Sequence, residues 1–201
     1  MVSLILAAVL LPTPGQTILW RGYRGWNYSD GVLKNVGPNP EHLFSFREFG
    51  DCKVHVEFRI PKGSNSGVYL QGRYEVQIFD SFGKKPSELE FSDCGGIYQR
   101  WKDEKGYEGT APRLNAFKGP GEWNAFDIDF RAPRFGASGA KVENARFIEV
   151  RLNGVVIQSN VSVTGPTRAS YFEDEKAMGP IVLQSDHGPV EFRNCQVLSG
   201  L

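Results

Sequence analysis

The densest run of side chains able to do acid–base and hydrogen-bond chemistry is Arg73-Tyr74-Glu75-Val76-Gln77-Ile78-Phe79-Asp80. Alternation sorts it into two faces. Tyr74, Val76 and Ile78 make an apolar side, so Arg73, Glu75, Gln77 and Phe79 point away from a core. Glu75 and Gln77 are then neighbours, within reach of one small ring. Ionised, Glu75 can accept a proton, while Arg73 and Gln77 can hold oxygen atoms. Asp80 has the wrong parity to join them unless a bulge intervenes. Four further candidates stand elsewhere. Tyr98 follows Gly95-Gly96, Trp123 is opposite in parity to Phe126 and Ile128, Gln184 alternates with Leu183, and Arg193 opposes Phe192 and Val190. Plainer readings compete for three of them: a core position for Tyr98, a cap on the core for Trp123, a surface salt bridge for Arg193.

Those side chains need strands to position them. Residues 54–60 alternate strictly and stop at Pro61 and Gly63; 124–130 alternate with Phe126, Ile128 and Phe130 inward. Residues 147–152 run into Asn153-Gly154 and out through 155–157, a strong short hairpin signal. Residues 181–184 and 190–198 close the series, and 68–80 read as a hairpin. A two-residue loop, Gly72-Arg73, would pair Leu70 with Glu75 and mix apolar with polar side chains. A three-residue loop, Gln71-Gly72-Arg73, pairs Leu70 with Tyr74, Tyr69 with Glu75 and Val68 with Val76. Register follows that sorting, and it brings Tyr69 to Glu75. Helical periodicity, internal repeats and low-complexity tracts are missing from the sequence. Long loops at 84–95, 102–120, 132–144 and 164–179 suit the surroundings of a binding face. The pattern predicts an all-β fold, a two-sheet antiparallel β-sandwich with one face of each strand in the core. An outward face carrying carboxylate, amide and aromatic groups suits sugars, whose ring faces stack and whose hydroxyls bond.

Composition narrows the function. The chain has 201 residues with 23 acidic and 23 basic side chains, so no basic footprint for nucleic acid appears. The length suits one domain, expected over 17–201. Residues 2–11 form an apolar run too short to span a bilayer but of signal-peptide length, although no basic residue precedes it. Export to the periplasm or the extracellular space is expected, with a leader over 1–16; a buried first strand is the alternative. Cys52, Cys94 and Cys195 make no disulfide framework and have no metal-ligand spacing, so all three are expected to be structural.

The segment 65–80 resembles the 3-keto-disaccharide hydrolase domain family, formerly a domain of unknown function. The resemblance extends through Phe49-Gly50-Asp51, Glu57-Phe58-Arg59, Gly96-Ile97-Tyr98, Gly121-Glu122-Trp123-Asn124, Leu152-Asn153-Gly154, Leu183-Gln184 and Phe192-Arg193-Asn194, in the family's order. It implies a concanavalin A-like jelly roll that cleaves 3-keto-glycosides or 3-keto-disaccharides. Glu75 is then the candidate base, with Tyr69, Arg73, Gln77, Asp80, Tyr98, Trp123, Gln184 and Arg193 binding substrate. Many members carry Leu-Gln-x-His-Gly, whereas here His187 stands one position later in Leu183-Gln184-Ser185-Asp186-His187-Gly188. One position reverses the face of a strand, so a solvated loop histidine competes with a catalytic one.

Two other functions fit the same residues. One is a non-catalytic carbohydrate-binding module, which a flat aromatic strip would favour over an enclosed carboxyl. The other is a retaining glucanase-like hydrolase using Glu75 and Asp80, since Glu75-x-Gln77-x-x-Asp80 resembles the Glu-x-Asp-x-x-Glu strand of sandwich glucanases. Gln77 in the central position weakens that reading. The expected partner is an oligosaccharide or glycoside. No redox cofactor is required, and whether a divalent cation binds is left open by the sequence, as is the oligomeric state.

Overall fold

A computed structural model describes residues 7–9 and 20–199. Most of the leader expected over 1–16 therefore lies outside the described residues. Two antiparallel sheets carry the architecture. The larger runs β15 (Val155–Val163), β14 (Ala145–Leu152), β11 (Asn124–Arg131), β6 (Cys52–Arg59), β17 (Glu191–Ser199), β4 (Val32–Asn35) and β3 (Trp26–Ser29), with β1 (Ala7–Val9) also pairing with β17. The smaller sheet runs β2 (Trp20–Arg21), β5 (Leu43–Phe49), β16 (Gly179–Leu183), β7 (Asn65–Leu70) and β8 (Tyr74–Phe79). Two short ribbons occur, β9 (Arg100–Lys102) with β10 (Lys105–Tyr107) and β12 (Arg134–Phe135) with β13 (Lys141–Glu143); all but β9, which starts two residues earlier, lie within the expected loop regions. No α-helix occurs among the described residues.

The core lies between the sheets, where alternation put it. Val54, Val56 and Phe58 of β6, Phe126, Ile128 and Phe130 of β11, and Tyr74, Val76 and Ile78 of β8 are all buried in one cluster. Rings from the two sheets meet inside it: Tyr74 lies 5.5 Å from Phe130, which lies 5.3 Å from Phe147. Asn153 and Gly154 take positive φ (54° and 81°), as the expected tight turn requires. Cys52, Cys94 and Cys195 are free and buried. Burial pushes the Cys52 and Cys94 thiols up to about 12.

The hairpin that carries Glu75 has the three-residue loop. Leu70 pairs with Tyr74, Tyr69 with Glu75 and Val68 with Val76, with no slip between Asn65 and Phe79. Gln71 and Gly72 both take positive φ (55° and 65°), and the Arg73 N–H closes the turn on the Leu70 carbonyl at 3.0 Å. This unbroken register also fixes Asp80. No bulge turns it toward Glu75; its carboxylate instead accepts the Gly63 and Phe82 N–H groups at 2.9 and 3.3 Å.

Candidate active site

Glu75 lies on the outer face of the smaller sheet, yet it is only 3% exposed. The long loops supply the cover. Residues 164–178 fold back over the sheet, tied to the hairpin turn at several points. Thr167 donates its N–H and hydroxyl to the Arg73 carbonyl at 2.8 and 3.0 Å, and the Tyr171 N–H donates to the Gly72 carbonyl at 3.0 Å. Gln71 donates its side-chain amide to the Ala177 carbonyl at 2.9 Å. On the other flank, residues 95–98 pair with β8: the Gly95 N–H donates to the Gln77 carbonyl and the Tyr98 N–H to the Glu75 carbonyl.

These elements enclose a cleft of about 290 Å³ lined by Tyr69, Glu75, Gln77, Tyr98, Gln184 and His187, with Asn65, Arg168 and Ala169 at its edges. Burial drives the Glu75 carboxyl up to about 8; the Tyr69 hydroxyl hydrogen-bonds it and pulls the other way, while the Asp186 charge adds to the rise. Gln77 is as buried as Glu75. The surrounding groups assign its amide nitrogen to the side where it donates to Glu75 Oε1 and to the Ser66 carbonyl, each at 3.0 Å. Gly67, opposite Gln77 in the ladder, leaves room for the carboxyl. A Cβ there would overlap Glu75 Oε1 and lie 3.0 Å from its Cδ.

Beside the cleft, Asp186 stands between two histidines, of which His187 lines it. Its Oδ1 lies 2.5 Å from His187 Nδ1 and its Oδ2 lies 3.7 Å from His42 Nε2. The Ser185 N–H donates to His42 Nδ1 at 3.2 Å, so the His42 proton belongs on Nε2, facing Asp186. Burial holds His42 below the usual histidine range. Nδ1 of His187 faces the carboxylate, so its Nε2 is the nitrogen left for a ligand.

The cleft therefore gathers Glu75, Tyr69, Gln77, Tyr98, Gln184 and His187 from the sequence-derived set. It leaves out four others. Arg73 is 2% exposed and holds the 164–178 loop: its guanidinium donates to the Asp174 carbonyl and, at 2.6 Å, to Asp174 Oδ1, and lies over the Phe172 ring. Asp80 serves the turns described above. Trp123, just before β11, and Arg193 of β17 stand with the larger sheet, where the Arg59 and Arg193 guanidiniums lie 4.8 and 4.0 Å from the Trp123 ring. The glucanase-like pairing of Glu75 with Asp80 thus has no geometric basis. Sequence reasoning missed Asn65, Arg168, Asp186 and His42. Only the neighbouring Asp186-His187 pair carried a local signal.

Because Arg73 ties down the loop without reaching the cleft, Arg73→Gln should raise KM and lower kcat together by about tenfold or more. The variant loses the buried guanidinium's hydrogen bonds, a change costing roughly 1–3 kcal/mol. Limited proteolysis should cut within 164–178 faster than in the wild type. Unchanged kinetics with faster cleavage would show that loop order and the cleft are uncoupled.

A jelly-roll sandwich with a buried carboxyl under a loop-walled cleft defines a carbohydrate-related, glycoside hydrolase-like domain, and solved structures agree. A protein from Parabacteroides distasonis, whose glycosyl hydrolase assignment is provisional, superposes with a TM-score of 0.78 at 28% identity, covering 96% of this chain and 84% of that one. The Bacillus licheniformis β-glucanase matches at 0.54 and 11%, covering 98% of each chain. The Bacillus subtilis carbohydrate-binding module CBM66 matches at 0.52 and 9%, covering 90% of this chain and 96% of that one. The last two share the fold. Among curated proteins none matches the chain. The chain belongs to the 3-keto-α-glucoside-1,2-lyase-like domain family, whose pattern it fits over residues 15–198.

Proposed function

We propose that this domain cleaves the C1–O bond of glycosides already oxidised to a ketone at C3, with Glu75 as the base. The C3 ketone acidifies the proton on C2. Glu75 removes that proton, and the C2–H electron pair moves into a C2=C3 enolate. As the enolate collapses, C1=C2 forms and the C1–O bond breaks, releasing the aglycone as an alkoxide that takes up a proton. The sugar leaves as an unsaturated ketone, or is hydrated if water then adds at C1. One observation carries this reading: a carboxyl with its pKa raised to about 8, sunk at the floor of a cleft and not on a flat strip. A base matched to neutral pH is what removal of a weakly acidic C–H proton requires. The Tyr69 hydroxyl and Gln77 amide hold the carboxyl in place. Tyr98 and Gln184 line the same cleft and can donate hydrogen bonds to the enolate and ring oxygens. His187, oriented by Asp186, lines the same cleft and can meet the departing group through Nε2, while the proton the alkoxide takes up can be the one Glu75 has removed.

Among the described residues no group of three or more His, Cys, Asp or Glu side chains is arranged to hold a metal ion. A carbohydrate-binding role remains the rival, because the same fold serves both ends.

Two experiments test the proposal. The purified protein, incubated with 3-keto-glucosides and with the parent glucosides, should release aglycone from the oxidised set alone. Release from the parents would make it an ordinary glycosidase; tight binding of sugars with no release from either would leave a binding module. The second is a pH profile. A base of pKa about 8 must lose its proton to act, so kcat/KM should rise about tenfold per unit below pH 8 and flatten above it. A flat profile between pH 6 and 9 would remove Glu75 from the role.

A further inference from the structure

Glu75 ends a row of directly paired residues that crosses the whole smaller sheet. Glu75 pairs with Tyr69, Tyr69 with Val182, Val182 with Phe44, and Phe44 with Arg21. All five lie on the outer face; Tyr69 and Val182 are buried there yet stand apart from the inter-sheet core. Tyr171 from the covering loop stands on this row as a partition. Its ring lies 4.9 Å from Tyr69 on the cleft side, and 5.2 Å from Phe44 and 4.7 Å from His42 on the other. Beyond it opens a second hollow of about 600 Å³, walled by Tyr171, Phe44, Phe172, His42 and Pro40, with Arg21 and Arg24 at the rim.

We propose that this second hollow is an aglycone subsite for a flat aromatic leaving group, with Tyr171 dividing the sugar from the aglycone. The inference rests on the C1–O cleavage proposed above and specifies which glycosides the site prefers. The cleft itself sits at the small end of ligand-pocket sizes, roughly 300 Å³, so one ring fills it and the rest of the substrate must lie outside. The neighbouring hollow suits an aromatic ring better than a second sugar, because its walls are aromatic and its charged groups stand at the exposed rim. Arg24 pairs with Glu41 at 3.2 Å, His42 Nδ1 accepts the Ser185 N–H, and the Arg21 guanidinium lies 5.1 Å over the Phe44 ring. A planar aromatic ring meets three aromatic walls in offset or edge geometry, the arrangement such rings prefer.

The test compares kcat/KM for 2-naphthyl and methyl 3-keto-glucosides and for a 3-keto-disaccharide, in the wild type and in Phe44→Ala and Phe44→Trp. Burying an aromatic ring predicts about a tenfold to hundredfold preference for the naphthyl substrate. Phe44→Ala should remove most of that preference and leave methyl turnover within about twofold, because Phe44 does not line the cleft; Phe44→Trp should retain it. Equal losses on all three substrates, or a wild type that favours the disaccharide, would overturn the assignment. If no 3-keto substrate is turned over, the cleavage reading fails, and calorimetric binding of the naphthyl compound still decides this one. Affinity lost selectively in Phe44→Ala supports the subsite; affinity unchanged sinks it.

Discussion

Glu75→Gln is expected to cut turnover of a 3-keto-glycoside by about a hundredfold to ten-thousandfold, the usual worth of a general base, and to stabilise the protein at alkaline pH. The second effect follows from burial. Glu75 titrates near 8 in the folded chain and near the ordinary 4.5 in the unfolded one. Between those values the native state holds a proton that the unfolded state has released. Stability therefore falls as pH rises through that window and has no such penalty below it. At about 1.4 kcal/mol per unit, the full penalty above pH 8 has a ceiling of roughly 5 kcal/mol. Glutamine carries no charge and escapes it. Thermal melts should show the variant above the wild type at pH 8.5 and close to it near pH 4.5. A variant less stable at every pH would mean that the carboxylate is ionised and well solvated, against its place under the loop. His187→Ala, at an exposed side chain, should lose less activity than Glu75→Gln; the reverse order would make His187 the base.

Gly67→Ala should lower kcat by about a hundredfold while moving the melting temperature little. The new methyl group would occupy the space of the Glu75 carboxyl, and displacing a reacting group by about 1 Å is enough for that loss. Gly67 lies in regular strand, where alanine is ordinarily the better residue, so the backbone gives no reason for a large loss of stability. The discriminating measurement is kcat alongside Tm. Full activity would show that the carboxyl can reach the substrate from more than one position.

The hairpin was legible in the sequence because strict alternation and turn length allowed one sorted register. The burial of Glu75 was not. Parity tells which way a side chain leaves its strand, and Glu75 does leave outward; it cannot tell that residues a hundred positions later will cover that face. Trp123 and Arg193 illustrate the same limit. Both point outward as expected, but from the other sheet, because alternation carries no information about which sheet a strand joins. β5 escaped notice for a related reason. Its outward positions include Phe44 and Phe46 while Ser45 faces in, the reverse of the usual pattern. Phe44 is tolerable outside because Tyr171 leans on it. His42 and Asp186 come together beside the cleft from segments 144 residues apart, a meeting that only the folded chain creates.

The three buried thiols give the molecule a set of internal clocks. Cys52, Cys94 and Cys195 are each 1% exposed or less, so an alkylating reagent must wait for the surrounding structure to open before it reacts. Cys52 and Cys195 belong to neighbouring strands of the larger sheet, whereas Cys94 precedes the glycines that pair with β8 beneath the cleft. Mass-resolved labelling rates would therefore time the breathing of the cleft floor against that of the sandwich as a whole, with no probe introduced. If the floor is the looser part, Cys94 will label first, and a bound substrate will slow that cysteine ahead of the other two.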